Sequence, residues 1–224
     1  MHTVIQGPPG VGKTMLGRLI GDIYYKLGML KSRHTIFDID YTFKIARRSD
    51  LIGRYYAEAY DLPIFTTRMF THTGPRRGDV FAESTFAKQI ALIEAGYQDP
   101  VIKVGNLQSQ RTWADVRDAV RAYHMLLTTD TIPNGDYFNI GGETIKTIRE
   151  MLDHLISLST CKDVIKIEED PERLRPIDAD LQVPNTAKFV AATGWKPEYS
   201  FEDTMEDLLN YWRKAVSTRR YLSR

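Results

Sequence analysis

The hydrophobic positions of the chain follow two alternating periods. Apolar residues recur every three or four positions in some segments, which is typical of amphipathic helices, and short β-rich runs separate those segments. The expected strands are residues 3–5, 34–40, 63–70, 100–105, 136–142 and 163–169. The expected helices are residues 15–30, 49–60, 84–96, 112–128, 144–160 and 200–216. This alternation predicts an α/β architecture with a largely parallel sheet.

Three local signals refine the ends of these helices. Ser49 is the expected N-cap of the second helix, and Gly96 is the expected stop of the third. Ser200 and Asp203 have the spacing of a capping box, so the last helix is expected to begin there.

Composition and charge exclude several classes of protein. The 30 Lys and Arg residues balance 29 Asp and Glu residues, so the net charge of +1 predicts no general affinity for nucleic acid or anionic membranes. No run approaches the length of a membrane-spanning helix, and Cys161 is the one cysteine, so a cytoplasmic protein without disulfides is expected. His34, His124 and His154 lack metal-ligand spacing, and we therefore assign no metal site.

The first chemical motif is a glycine loop between an expected strand and an expected helix. Residues 7–14 read GPPGVGKT and satisfy the pattern of a P-loop, in which backbone N–H groups surround a phosphate. Gly10, Gly12, Lys13 and Thr14 are the candidate ligands of Mg·ATP. The alternative is a Gly-Pro turn whose lysine points into solvent. Asp38 and Asp40 are interpreted as strand-end or turn carboxylates, not as a Walker-B pair.

The first fifty residues carry one family resemblance. The segments GPPGVGKTMLGRLIGDIYYKLGML and FKIARRSDLIG resemble the start of AAA+ ATPases of the CbxX/rubisco-activase-like group. That resemblance implies an ATP-binding segment, but the Walker-B segment, sensor and arginine finger of those ATPases have no counterpart downstream. The expected capability is therefore phosphate binding without hydrolysis.

Most of the remaining chain carries a second resemblance. It is found in RMFTHTGPRRGDVFAESTFAKQIALIEAG, VGNLQSQRTWADVRDAVRAY, YFNIGG, DPERLRPIDADLQVPNTAKF and TGWKPEYSFEDTMEDLLNYW. These segments resemble GDP-mannose 4,6-dehydratases, a branch of the extended short-chain dehydrogenase/reductases. The resemblance implies an incomplete Rossmann-like parallel sheet plus the smaller α/β substrate-binding domain. We expect a P-loop segment at 1–53, a dehydratase-like portion at 54–217 and a polar tail at 218–224, with a fusion at 50–53.

The dehydratase resemblance also implies binding residues. It assigns NADP contacts to His72 and Arg77. Arg111, Glu172 and Arg175 are the implied contacts to GDP-mannose or a related GDP-sugar, whereas Asp115 and Asp118 are implied to be structural. Arginine forks match phosphate oxygens, so the PRRG turn independently suits a nucleotide diphosphate or a 2′-phosphate. The alternative is that Arg76 and Arg77 pair with Asp79 or Glu83 on the surface.

The catalytic pair of the dehydratases has no counterpart. Those enzymes use Tyr-x-x-x-Lys, in which the lysine lowers the pKa of the tyrosine, and none of the 12 tyrosines has a lysine four residues later. The dinucleotide glycine loop is missing as well. We therefore assign no catalytic residue and expect a GDP-sugar-binding chain that is inactive alone. The alternatives are a P-loop ATP-binding protein and a non-catalytic assembly module. Such a module forms homo-oligomers or associates with dehydratase protomers. An incomplete sheet also predicts an exposed edge and marginal stability.

Overall fold

The computed structural model describes residues 35–38, 43–173 and 181–219. The helices are α1 (Phe43–Tyr60), α2 (Ala82–Glu94), α3 (Val116–Thr128), α4 (Ile148–Ser157), α5 (Ala187–Thr193) and α6 (Phe201–Ser217). The strands are β1 (Thr35–Asp38), β2 (Ile64–Met69), β3 (His72–Thr73), β4 (Val101–Val104), β5 (Gln110–Asp115), β6 (Tyr137–Ile140), β7 (Thr144–Thr147), β8 (Lys166–Glu169) and β9 (Leu181–Gln182). A short 3₁₀-helix spans Pro171–Arg173.

Several predictions fall on residues outside the described ranges. These are the strand at 3–5, the helix at 15–30, the glycine loop with Gly10, Gly12, Lys13 and Thr14, and the arginine Arg175. Among the described helices, none has the length and apolar content needed to cross a membrane.

The chain divides into two compact units. The first contains the described residues up to Arg68 together with Asp130–Phe138, and the second contains Met69–Thr129 and the residues after Phe138. In the first unit, β1 runs parallel to β2, with Thr35 opposite Ile64 and Asp38 opposite Thr67. The sheet order there is β1-β2-β6. The expected strand at 34–40 is confirmed, and Asp38 is its last residue, as expected of a strand-end carboxylate.

Parallel pairing dominates the second unit. Strand β3 pairs with β5, β4 pairs with β8, and β9 pairs with β5, all in parallel, whereas β7 is antiparallel to β5. The core of this unit lies among α2, α4 and α6, where Ile90, Leu155 and Leu208 are fully buried. Trp212 of α6 donates its indole N–H to the Ser84 hydroxyl of α2 over 2.9 Å, so the two helices are joined by a buried hydrogen bond as well as by packing.

Three helices begin four or more residues away from the predicted start. Ser49 is wrong as an N-cap, because α1 begins at Phe43 and runs through Ser49 without a break. Residues Thr112–Asp115 and Thr144–Thr147 are strands, not the first turns of α3 and α4. The two stretches pair with each other, from Gln110 opposite Thr147 to Trp113 opposite Thr144. This ladder joins residues distant in sequence, so it overrides the local helical periodicity.

Other predicted boundaries are confirmed. Gly96 follows α2 with a φ of 72°, a left-handed conformation that glycine adopts without strain. Ser200 is the N-cap of α6, and its hydroxyl oxygen accepts the backbone N–H of Asp203 over 3.0 Å. The strands predicted near residues 64–69, 101–104, 137–140 and 166–169 are present as β2, β4, β6 and β8.

Candidate functional site

The candidate GDP-sugar site lies where two parallel strands end. Strands β4 and β8 run side by side, and each is followed by a loop at the same edge. Ligands of open α/β sheets bind at this carboxyl edge. A Cβ on Gly105, directly after β4, would lie 2.5 Å from the carbonyl oxygen of Arg173 in the 3₁₀-helix. Only glycine lets the two loops approach this closely.

The loop after β4 is held by its own side chains. The Asn106 side chain accepts the backbone N–H of Gln108 over 2.9 Å and donates to the Ser109 hydroxyl over 3.0 Å. The carbonyl oxygens of Leu107 and Ser109 accept the N–H groups of Arg149 and Ile148 in the first turn of α4. The loop is therefore fixed to a helix, and it leads directly into β5 at a defined position.

Arg111 is the second residue of β5, and its neighbours form a polar row. It is half-buried, and its Nη1 donates to the carbonyl oxygen of Gln110 over 2.8 Å. Lys146 of β7 and Gln182 of β9 are its partners in register on either side. Laterally paired residues point to the same face of a sheet, so the Lys146–Arg111–Gln182 row presents two cations and an amide together. Sequence reasoning missed Lys146 and Gln182.

Glu172 and its neighbours follow β8. The backbone N–H of Asp170 donates to the carbonyl oxygen of Val104 over 2.8 Å, so the turn after β8 is tied to the end of β4. The Asp170 carboxylate then accepts the backbone N–H of Glu172 at 3.1 Å and the Arg173 guanidinium at 3.2 Å. Glu172 itself is exposed, and its side chain is on the 3₁₀-helix beside Gly105.

A groove of 680 Å³ opens beside this edge. Residues of α2, β4 and β8 line it, together with Arg173 and the segments before α2 and β4. Its lining includes Asp79, Lys88, Gln89, Lys103, Glu168 and Arg173. Lys88 is paired with Asp79 over 2.8 Å, and the Gln89 side chain accepts the backbone N–H of Lys103 over 3.1 Å. The lining of the groove is thus charged, and its side chains are joined by an ion pair and a hydrogen bond.

The predicted NADP residues lie in β3 and in the turn that follows it. His72 is half-buried in β3, with Nδ1 3.2 Å from the carbonyl oxygen of Phe70. The turn that follows contains Gly74 at a φ of 142° and Arg76 at 73°, both in the positive region. A Cβ on Gly74 would touch Val116 at 3.0 Å, so this turn lies against the N-terminus of α3.

Arg77 already has partners within the protein. Its Nε donates to Glu83 over 3.2 Å, and its guanidinium carbon lies 3.3 Å from the centroid of the Phe81 ring. The side chains of Arg77 and Glu83 are 19% and 6% exposed. The alternative pairing of Arg77 with Glu83 is thus present, although the pair is largely buried and not on the surface. An anionic ligand at Arg77 therefore competes with Glu83.

The expected structural role of Asp115 is confirmed. It is the N-cap of α3, and its carboxylate accepts two bonds of 2.7 Å from the Arg117 side chain and one of 2.9 Å from Thr204. Burial alone raises the pKa of the Asp115 carboxyl, but these hydrogen bonds outweigh burial and hold the pKa below its ordinary value. The carboxylate is thus ionised, and its hydrogen bonds go to groups of the protein itself.

Asp118 has the same kind of role one turn later. Its fully buried carboxylate accepts the backbone N–H groups of Glu198 and Tyr199 at 3.0 and 3.1 Å and a guanidinium N–H of Arg121 at 2.8 Å. It fastens the segment before α6 to α3. The prediction that this carboxylate is structural is therefore confirmed.

Structural relatives share this arrangement of strands and helices. The RMD protein of Pseudomonas aeruginosa, solved in complex with NADPH, is 26% identical with a TM-score of 0.67, over 74% of this chain and 54% of that one. A UDP-glucose 4-epimerase of Thermotoga maritima has a TM-score of 0.69 at 19% identity, over 92% of this chain and 71% of that one. The chain thus has the α/β Rossmann-like fold of short-chain dehydrogenase/reductases, as the sequence predicted.

Sequence comparison identifies the family within that fold. The family described as GDP-mannose 4,6 dehydratase matches residues 46–208, and the chain belongs to it. A GDP-6-deoxy-D-mannose reductase of Pseudomonas aeruginosa is 29% identical over 68% of this chain and 49% of its own length. A GDP-mannose 4,6-dehydratase of Sinorhizobium fredii is 30% identical over 66% of this chain and 46% of its own length. The chain spans about half the length of these curated relatives.

Proposed function

We propose that this chain binds GDP-mannose or a related GDP-sugar at the carboxyl edge of β4 and β8. The observation that carries the proposal is the family match over residues 46–208, which includes this whole edge. Arg111 binds the diphosphate, because a guanidinium fork matches two phosphate oxygens. Glu172 receives the guanosine, and Arg175 supplies a second guanidinium. Two relatives whose names include GDP-mannose or GDP-6-deoxy-D-mannose support this ligand class.

We further propose that these 224 residues do not complete the dehydratase reaction alone. The sequence contains no tyrosine with a lysine four residues later, so no group is assigned to abstract the sugar hydroxyl proton. Binding without turnover is the expected behaviour. Incubation with GDP-mannose and NADP, followed by chromatography of the nucleotide sugars, tests this directly. Formation of a 4-dehydro-6-deoxy product would contradict it.

The binding proposal is tested by ligand-induced stabilisation. The melting temperature of the chain is measured with GDP-mannose, GDP, UDP-glucose, NADPH and Mg·ATP at equal concentrations. A ligand that binds the folded state alone at 100 times its Kd stabilises it by about 2.7 kcal/mol. The proposal expects GDP-mannose to raise the melting temperature more than UDP-glucose or Mg·ATP. No shift at millimolar GDP-mannose would refute it.

NADP binding at His72 and Arg77 is a separate part of the proposal. The cofactor would supply a hydride acceptor, and the two side chains would hold it against the turn after β3. Support comes from the NADPH complex of the RMD protein and from the arginine-rich turn. The buried Glu83 opposes it, since this carboxylate already neutralises Arg77. The residues thus fit an anionic cofactor if the ion pair between Glu83 and Arg77 breaks when the cofactor binds.

This competition can be measured with NADPH fluorescence. Removing the carboxylate with Glu83→Gln is expected to tighten NADPH binding, and Arg77→Ala is expected to weaken it. Glu58→Gln is the matched control, because Glu58 also pairs with an arginine, at 2.7 Å, on an exposed helix surface. Equal NADPH affinity in the wild type, E83Q and R77A would remove Arg77 from the cofactor site.

Mg·ATP binding at the glycine loop is a second candidate function. It rests on the motif at residues 7–14, which precedes the range matched by the dehydratase family. In this proposal Lys13 contacts the phosphates and Thr14 the magnesium ion. Mg·ATP should then raise the melting temperature of the wild type but not of Lys13→Ala. Equal protection of both proteins would refute it. A fusion at residues 50–53 accompanies this candidate, and α1 runs continuously across those residues.

A non-catalytic assembly role is a third candidate, favoured by the surface of α1. Tyr55 and Tyr60 are 59% and 60% exposed, and the Tyr56 ring stacks on that of Tyr60 at 5.5 Å. Exposed aromatic clusters are typical of protein contacts. We expect homo-oligomers, or co-elution with a full-length dehydratase on a sizing column, and loss of either in Tyr55→Ser/Tyr60→Ser. A monomer that never co-elutes would exclude this role.

A further inference from the structure

We propose that Lys146 binds the diphosphate of the ligand together with Arg111. The inference rests on the proposed function, because it concerns the same GDP-sugar site and adds a residue to it. The sequence pattern gives no hint of this, since residue 146 falls within the helix predicted at 144–160. Its position in β7 brings it opposite Arg111.

The geometry of the ladder fixes the direction of both side chains. Four successive residues of β5 and β7 pair in antiparallel register, from Gln110 opposite Thr147 to Trp113 opposite Thr144. The Trp113 indole N–H donates to the carbonyl oxygen of Lys146 over 3.4 Å, which connects the lysine backbone to the buried core. Directly opposed residues point to one face, so the ammonium and the guanidinium extend from the same side of the sheet.

Arg111 and Lys146 place two cations opposite each other in the β5–β7 ladder. Like charges directly opposite each other destabilise a strand pair, and both side chains are half-buried, so water screens them less than at an open surface. Among the described residues, no carboxylate forms an ion pair with Lys146. The charge of the nearby Glu150 attracts Lys146, but its hydrogen bonds, of 2.7 Å and 2.9 Å, go to the backbone and hydroxyl of Thr147.

The ammonium of Lys146 instead has a weak partner in this structure. Its Nζ lies 5.1 Å from the centroid of the Phe201 ring. A charge-assisted hydrogen bond to a phosphate oxygen is stronger than a cation–π contact at a partly exposed site. A diphosphate therefore draws the ammonium toward Arg111, where the guanidinium fork and the lysine point charge contact different oxygens. Gln182, on the other side of Arg111, adds an amide donor.

The test compares three variants by isothermal titration calorimetry. Lys146→Met removes the charge and keeps an unbranched side chain, Lys146→Arg keeps a cation, and Lys166→Met is the matched control. Lys166 is likewise a strand lysine, but it is exposed at the start of β8, away from the carboxyl edge. The ligands are GDP-mannose, guanosine and inorganic pyrophosphate. A circular-dichroism melt of each variant verifies folding.

The expected result is a diphosphate-specific loss. K146M should bind GDP-mannose and pyrophosphate about ten-fold or more weakly, whereas guanosine binding stays unchanged. K146R should recover most of the affinity, and K166M should match the wild type. Unchanged diphosphate binding in K146M, or an equal loss in K166M, would overturn the role of Lys146.

The outcomes separate this inference from the proposed function. If the wild type binds GDP-mannose and K146M binds it equally well, the function stands and Lys146 has no part in it. If the wild type binds pyrophosphate through Lys146 but not GDP-mannose, the cation pair stands as an anion site and the proposed function fails. If the wild type binds neither ligand, both proposals fail.

Discussion

Replacing Asp118 with alanine should destabilise the second unit more than any surface substitution. The carboxylate is fully buried and accepts the backbone N–H groups of Glu198 and Tyr199 and a guanidinium N–H of Arg121. The indole N–H of Trp195 donates to the Asp118 carbonyl oxygen over 3.2 Å, so the same residue also fixes a buried tryptophan. The alanine variant keeps that last bond and loses the other three.

The magnitude follows from the groups left without partners. Each buried donor that loses its acceptor costs about 1–3 kcal/mol, and breaking a buried ion pair costs about 3–5 kcal/mol. Arg121 retains a contact of 3.2 Å to Glu198, so the cost belongs at the lower end, about 3 kcal/mol. Domains of this size are stable by about 5–15 kcal/mol, and each kcal/mol lowers the melting temperature by about 2–4 °C. We expect a fall of roughly 10 °C.

The assay is urea unfolding of Asp118→Ala beside a matched control. Asp153→Ala also removes an aspartate paired with an arginine, but that pair is about half exposed on the surface of α4. Exposed pairs of this kind contribute about 0.3–0.5 kcal/mol. If D118A lies within about 1 kcal/mol of D153A, the structural role of the buried carboxylate is refuted.

Three further changes test other parts of the structure. Burial raises the pKa of Glu94, but hydrogen bonds from Arg213, Thr160 and Ser159 outweigh it and hold that pKa below its ordinary value. Glu94 thus stabilises the fold above its unfolded pKa of about 4.3, and this contribution is lost as pH falls through the folded pKa. In Arg213→Met the urea midpoint of unfolding should therefore depend less on pH in the acid range than in the wild type. Parallel curves of urea midpoint against pH for the two proteins would contradict this. Gly105→Ala should weaken GDP-mannose binding in calorimetry, because the new methyl group displaces the 3₁₀-helix. Wild-type affinity in this variant would show that the close contact between Gly105 and Arg173 is not needed for binding. Thr147→Ala should cost about 1 kcal/mol in urea unfolding by removing the capping box of α4, and a neutral result would contradict that role.

The sequence carried enough information for most of the fold. Strands such as β2 and β4 are short β-rich runs, and α2 and α6 have clear helical periodicity with Gly96 and Ser200 at their ends. These elements depend on local pattern and capping, which one sequence contains. The α/β class and the dehydratase family followed from the same information and were confirmed by comparison.

The ladder between β5 and β7 could not be read from periodicity. Residues Thr112–Asp115 precede a helix without a break, so the amphipathic pattern of α3 extends into them. Whether they form strand or helix depends on a partner more than thirty residues away in the chain. A local signal did exist, because Thr147 and Glu150 have capping-box spacing and mark the true start of α4.

Some candidate site residues could be named from the sequence, and others depend on strand pairing and could not. Arg111 and Glu172 were predicted from the dehydratase resemblance; Arg111 is in β5 and Glu172 in the 3₁₀-helix after β8, and their binding roles stay predictions. Lys146 and Gln182 were missed because their position beside Arg111 depends on strand register. The pairing of Arg77 with Glu83 was foreseen as an alternative, but its burial was not, since the Phe81 ring that covers Arg77 is brought there by the turn.

Calorimetric titration of GDP-mannose into the wild type, Arg111→Met and Arg149→Met tests whether the chain binds a GDP-sugar through Arg111. Arg149 is the matched control, because it is an exposed arginine of α4 paired with Asp153. We expect binding by the wild type and R149M, and a loss of about ten-fold or more in R111M. Absence of binding by the wild type, or equal affinity in all three proteins, would contradict it.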